Sequence, residues 1–232
     1  MLPERQERAL HTRRALLHSA ARLFDRHGYA RAKLNDISAG AGVSPGALHF
    51  HFANKAAVAA AVETAGADIL WSAGRIACRA NKDALQALTD MSQAFVRLLR
   101  WDVVARAGFR LGTDTDTPRA RTQALDQEWH TCVERLLAWA ARNNELSRDV
   151  DLVPVTCAVL TATTGIGLQI TGSAEQRAQN ALTAFWQVFL PGLATPEVAA
   201  RLEPAGRTTV VADAVAVSRY ACAQAPAAEP AP

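Results

Sequence analysis

What this 232-residue chain lacks narrows its identity before any motif is read. No apolar run of 18 or more residues escapes a charged or strongly polar group, so no membrane span is expected. The start, MLPERQERAL, has no apolar signal core and mixes acids with bases, which predicts a cytoplasmic protein without a secretion signal. Cys78, Cys132, Cys157 and Cys222 are scattered and form no CxxC pair, so they read as small reduced apolar residues rather than a disulfide or zinc framework. No run alternates with period two, and no segment repeats. Acids crowd together only in TDTDT, residues 113–117, which falls in a predicted loop. No paired carboxylates, Ser–His or Cys–His arrangement or metal set emerges. His130 and Cys132 sit two residues apart, which on a helix points them away from each other. An enzyme is therefore not expected, and neither a catalytic residue, a metal nor a cofactor is assigned.

What is present is a globular composition, half apolar and one-fifth charged. Its charge is uneven. Residues 1–60 hold nine Lys and Arg against four acids, an excess of five in a chain of net charge +3, so the remainder is slightly acidic. Five of the six histidines also lie in this first quarter. A compact basic segment on an acidic body suggests a polyanionic partner, with a solvated charged face as the plainer alternative.

The local pattern sharpens that suggestion. RALHTRRALLHSAARLFDRHGYA reads as a helix with Leu17, Ala20, Ala21 and Phe24 on one side and Gly28 as a left-handed cap. KLNDISAGAGV reads as a short helix whose apolar stripe is Leu34, Ile37 and Ala41, ended by Gly42. In SPGALHFHF, Ser44 is a good N-cap and Pro45 suits the first helical position, where its missing N–H costs nothing. This third helix lasts about two turns before Asn54 caps the next. Helix, glycine turn and short helix make a helix-turn-helix. The pair His49 and His51 invites a metal reading, but on a helix they lie about 200° apart and have no third ligand nearby. The glycines match no phosphate loop. Instead Ser44, Gly46, Ala47, His49 and Phe50 present one face to DNA while Leu48 and Phe52 pack inward.

Every later segment reads as helical too. NKAAVAAAVETAGADILWSAGRIACRA is long enough to connect two domains, and Leu85, Leu88, Met91, Phe95, Leu98 and Leu99 mark the next helix. VVARAGFRL follows. ALDQEWHTCVERLLAWAAR is amphipathic and stops at Asn143-Asn144, VPVTCAVLTATTGIGLQITG is apolar nearly all round, and AEQRAQNALTAFWQVFLPGLA is amphipathic again. The fold class is all-α. A helix-turn-helix domain spans 1–53, a larger helical ligand-binding and dimerisation domain spans 54–205, and 206–232 is a C-terminal tail whose Ala/Pro-rich end reads as disordered. Segments 154–172 and 174–190 are too apolar to stay wet on a monomer. They are expected to pair with their copies in a four-helix interface that buries Phe185, Trp186 and Phe189.

LFDRHGYARAKLNDISAGAGVSPGALHFHFANK resembles the tetracycline-repressor (TetR) family of bacterial transcription regulators. The resemblance rests on an aromatic-ended first helix, the G-Y after it, the A-G-V turn and the G-A-L-x-F-H-F ending. VVARAGFRL, the tryptophan in DQEWH and the NNELSRDVD turn resemble the γ-butyrolactone autoregulator receptors of actinobacteria, and the likeness spans roughly residues 7–190. Three positions depart from the family pattern: Pro45 stands where a basic residue is usual, His49 where tyrosine is usual, and Ala56 where an acid follows N-K. The loss at Pro45 removes one contact to phosphate or base, while Arg13, Arg14, Lys33 and Lys55 remain for the backbone.

The resemblance implies a homodimeric repressor that sets two recognition helices into successive major grooves of a palindromic operator. Lys33, Lys55 and Ser44 would hold phosphates, and Gly46 and Ala47 would approach closely enough for His49 to reach a base edge. It further implies release by a small lactone, furan or butenolide-type signal and control of antibiotic or secondary-metabolite genes. A pseudo-receptor answering to an antibiotic or biosynthetic intermediate is the alternative. For the signal, Trp129 offers a flat wall and one N–H donor, Thr161 and Thr164 offer hydroxyls one turn apart, and Leu88 adds apolar lining. A plain core tryptophan, and hydroxyls bonded into their own helix, are the rival readings. Arg106 and Arg110 are read as pairing with acids at the domain junction rather than as an anion clamp. The helix from Asn54 is the expected lever between ligand and DNA.

Overall fold

The computed structural model describes residues 4–113, 122–168 and 175–223. Those residues form eleven α-helices and no strand, with one isolated bridge between Leu146 and Ala194. The helices are α1 (Glu4–Arg31), α2 (Leu34–Gly40), α3 (Pro45–His51), α4 (Lys55–Ala80), α5 (Ala84–Trp101), α6 (Val103–Thr113), α7 (Thr122–Arg142), α8 (Leu152–Leu168), α9 (Glu175–Leu193), α10 (Pro196–Ala199) and α11 (Thr208–Ala223). Among the described residues no helix is long and apolar enough to cross a membrane. Most of the acid-rich loop and the Ala/Pro-rich end lie outside the described residues.

The chain divides into two compact units, Met1–Ile69 with Asp102–Gln123 and Ser218–Pro232, and Leu70–Trp101 with Ala124–Val217. The boundary expected after residue 53 falls inside the first of these units. Helices α1–α3 bury too little surface alone, and the first unit completes its core with the first half of α4 and with α6. Leu16, Ala20 and Phe24 of α1 meet Ile37, Leu48, Phe52, Val58 and Val62, and Val104, Ala107 and Leu111 of α6 close the cluster. Glycines set the spacing of α4 and α6. A Cβ at Gly108 would stand 3.0 Å from the Val62 carbonyl and 3.1 Å from the Gly66 Cα. Asp25 of α1 then receives both arginines of α6. Arg106 donates from Nε and Nη2 at 2.9–3.1 Å, and Arg110 donates from Nη1 at 2.8 Å to the carboxylate and 3.0 Å to the Asp25 carbonyl.

In the second unit α5 is buried on every side, its polar residues included. Each polar group then needs a partner. The Glu145 carboxylate, 2% exposed, accepts from the first amides of α5, Ala84 N at 2.8 Å and Leu85 N at 2.9 Å. Asp90 accepts from Asn81 Nδ2, Gln86 Nε2 and the Arg207 amide at 2.7–2.9 Å. Gln86 both donates to the Glu203 carbonyl and accepts from its amide, and Gln93 donates to the Pro204 carbonyl at 2.9 Å. The segment 203–207 thus acts as the lid on the polar side of α5. Within the segment expected as a tail, Thr208–Ala223 is a helix, with Val210, Val211, Ala214 and Val215 buried. Its alanines supply helix propensity, and its valines supply the buried stripe.

Candidate DNA-binding and ligand-binding sites

The turn between α2 and α3 is built as its residues predict. Gly42 takes φ +67°, where only glycine is unstrained. Ser44 Oγ accepts from the Ala47 amide at 3.2 Å, and Pro45 begins α3. Leu48 and Phe52 are buried, which turns Pro45, Gly46, His49 and Phe50 outward, with Ala47 half-exposed. Phe50 is 82% exposed, an unusual position for an aromatic ring without a partner surface. Its ring packs edge-on against His51 at 5.2 Å. Arg13 stands over the Phe52 ring at 5.1 Å, so a cation sits beside the end of α3.

The two lysines expected at phosphates differ. Lys33 is exposed at the N-cap position of α2. Lys55 is already engaged: its Nζ donates to the Ala30 carbonyl at 3.0 Å and lies 4.5 Å from the centre of the Tyr29 ring. Partial burial lowers its pKa below the ordinary lysine value. Lys55 therefore ties the start of α4 to the turn after Gly28, a positioning role that residue type alone did not reveal. Asn54 supplies the cap, its Oδ1 accepting from the Ala57 amide at 2.9 Å.

Within the second unit, Trp129 lines a partly enclosed apolar space with Leu70, Trp71, Met91 and Phe95. Its ring stacks on Phe95 at 5.4 Å and 14°, and its Nε1 donates to Thr163 Oγ1 at 3.1 Å. The hydroxyl of Thr163 donates in turn to the Val159 carbonyl at 2.8 Å. These contacts draw the indole across the space and leave a cavity of about 20 Å³, room for a single water. The residue expected to line an apolar cavity thus lines one, and its ring fills most of it.

The other predicted ligand residues are not brought together there. Leu88 is fully buried in α5 but is not among the residues lining the cavity. Thr161 is exposed and borders a separate open groove of about 600 Å³ between α7 and α8, beside His130, Glu134 and Val153. Thr164 is half-buried away from both linings. The threonine that meets Trp129 is Thr163, which shares its helix face with the buried Thr156 and Val159. Because α8 is apolar almost all round, its sequence carries no amphipathic phase to single that residue out.

Trp186, expected at a subunit interface, is fully buried within its own unit. The outward apolar groups are Val188 on α9, 82% exposed, and Val153 on α8, 77% exposed, with Phe185 and Phe189 half-buried beside Val188.

Known proteins share this arrangement. Residues 16–62 match the model of bacterial regulatory proteins of the tetR family, and residues 82–195 match the tetracyclin repressor-like C-terminal domain. The chain is 32% identical over 218 residues to the A-factor receptor protein of Streptomyces griseus, covering 90% of this chain and 74% of that one. A crystal structure of a gamma-butyrolactone receptor (ArpA-like protein) aligns with TM-score 0.71 at 27% identity, over 89% of this chain and 97% of that one. CprB of Streptomyces coelicolor, in complex with its biological operator sequence, aligns with TM-score 0.68 at 28% identity, over 92% and 99%. With a helix-turn-helix in its first unit and an A-factor receptor as a relative at 32% identity over 90% of its length, this chain belongs to the tetR family of bacterial regulatory proteins.

Proposed function

We propose that the protein is a ligand-responsive repressor. It binds a palindromic operator as a dimer, leaves it on binding a γ-butyrolactone-like signal, and controls genes of secondary metabolism. The observation that carries the ligand half is the stacked, hydrogen-bonded Trp129, held by Phe95 and Thr163 over an apolar space. An acyl lactone has what displaces it: an apolar body to replace the stacking partner and a carbonyl oxygen to accept the indole N–H in place of Thr163. Exchange of partners lets the ring swing without stranding a buried donor. The DNA half is supported by the outward face of α3 and by likeness to an operator-bound relative. Release follows if the ligand-bound protein favours a separation of recognition helices that the operator does not accept. α4, which contributes to both units, is the element to carry that preference.

Trp71, Phe95 and Trp129 make the lining aromatic on several sides, which favours a flat conjugated intermediate as a second reading. The two readings separate in one experiment. Operator duplexes are selected from a random pool with the purified protein, and gel shifts are then titrated with an alkyl-substituted γ-butyrolactone or with aromatic biosynthetic intermediates. Release by the lactone supports the first reading, and release by the aromatic compounds alone supports the second. Failure to select any DNA overturns both.

A further inference from the structure

The outward face of α3 is poor in hydrogen-bonding groups. Pro45, Gly46, Ala47 and Phe50 offer no side-chain donor or acceptor, and the imidazoles of His49 and His51 are the polar side chains of the helix. It carries no arginine, asparagine or glutamine to pair with guanine or adenine. Phe50 is 82% exposed, and His51 meets its ring edge-on at 5.2 Å. Gly46 precedes Phe50 by one turn on the same face. It has no positive φ, and an added Cβ would meet only Ser44 Oγ, at 3.9 Å. Neither backbone conformation nor internal packing therefore requires glycine at this helical position, where it weakens the helix. Exposed ring and bare backbone lie together within residues 1–60, whose basic residues exceed the acids by five. An apolar patch on so basic a segment suits the groove of a polyanion better than the apolar surface of another protein.

We infer, on the operator-binding reading of α3, that Phe50 recognises thymine through its C5-methyl group, with Gly46 giving the clearance that lets the ring reach it. The thymine methyl is the apolar group that base edges present in the major groove, and a phenyl ring has apolar contact to offer it. Closing one on the other takes both surfaces out of water. His49, exposed beside Phe50, supplies the hydrogen bond to a neighbouring base, so α3 combines one polar reader with one apolar reader. Readout of this kind answers to a methyl group rather than to a base pair. Uracil, which pairs as thymine does but lacks the methyl, is then a wrong base for this protein.

The test uses the full-length protein and an operator duplex selected from a random pool. Each thymine of the operator is replaced singly by deoxyuridine, which removes the methyl and keeps every base pair. For the wild type, one thymine in each half-site should lose about fourfold in affinity, the worth of one buried methyl, and replacing both copies should lose about fifteenfold. Phe50→Ala should bind the parent operator more weakly and show no further loss at that thymine. Phe50→Leu should recover part of the affinity, and His49→Ala should keep the uracil penalty intact. Gly46→Ala should weaken binding while melting no earlier than the wild type. Wild-type indifference to uracil at every position overturns the inference, and so does a Phe50→Ala protein that keeps the full penalty. Either result leaves operator binding and its release by ligand standing, whereas failure to select any DNA overturns the inference together with the operator reading.

Discussion

Trp129 has two partners, Phe95 through its face and Thr163 through its N–H, so its removal has two separable consequences. Trp129→Phe keeps the stack and drops the donor. We expect its release threshold to shift by less than the roughly 0.5–1.5 kcal/mol of a neutral hydrogen bond, because the free protein loses the bond to Thr163 as the bound one loses the bond to the ligand. Thr163→Val does the converse, freeing the indole and lowering the ligand concentration that releases DNA. A core tryptophan without a ligand role predicts lower melting temperatures and an unchanged ligand response per folded molecule. Gel shifts beside thermal melts decide between them. In the DNA-binding unit, His49→Ala should relax preference at one base position and cost about 1–3 kcal/mol. Lys55→Ala should lower both the melting temperature and operator affinity on every sequence, because Lys55 holds the Ala30 carbonyl as well as a charge. A binding profile over mutated sites that is unchanged for His49→Ala would remove that residue from readout. His18, half-buried on α1, titrates below its ordinary 6.5 because burial disfavours the imidazolium. The unfolded chain therefore takes up the proton first as pH falls, and stability is lost from about pH 6.5 down through the folded pKa. His18→Gln should flatten that decline in melts taken between about pH 7 and pH 5.5.

At the level of elements, the crossing of α4 and α6 depends on Gly66 and Gly108 facing each other. Gly108→Ala puts a methyl against the Val62 carbonyl, so the helices must part. We expect a loss of about 1–3 kcal/mol, the usual cost of overpacking, and an unchanged melting temperature would contradict the close approach. Such features divide what the sequence discloses from what it hides. Caps and turns were legible because their chemistry is local: Ser44, Pro45, Gly42 and Asn54 do in the structure what their residue types require. The inward turn of Leu48 and Phe52 followed from helical phase alone. Contacts between distant elements were not legible. Nothing near Lys55 in the chain points to the Ala30 carbonyl, and nothing near Arg106 and Arg110 names Asp25. Of three threonines within four positions, the spacing argument chose Thr161 and Thr164, while burial chose Thr163. The C-terminal helix was missed because an alanine-rich composition suits a disordered tail and a helix equally, and only the buried polar face of α5 decides.

For the whole molecule, assembly turns on the apolar side chains left outward once each unit is folded. Trp186 stabilises its own unit, so it cannot also serve as the contact between copies. Among the described residues, Val188 on α9 and Val153 on α8 are the large apolar side chains that point outward from these two helices, which pack together. We expect Val188→Arg to give a folded monomer by light scattering and to cost far more operator affinity than one charge could explain, since the second half-site is lost. A dimer that persists in Val188→Arg places the interface elsewhere, and a monomeric wild type at micromolar concentration removes the paired-groove mechanism altogether.

The polar lid on α5 also bears on how this protein is made. Gln86 and Asp90 find their partners at Glu203 and Arg207, more than a hundred residues later in the chain. As the chain leaves the ribosome, α5 emerges with carboxylate and amide groups that cannot be buried until almost everything else has been translated. The first unit also awaits α6, yet its core is complete by Leu111, far earlier. During synthesis there is thus an interval in which a finished helix-turn-helix is tethered to an unfinished body. In that interval the buried polar groups of α5, and not those of the helix-turn-helix, still await their partners.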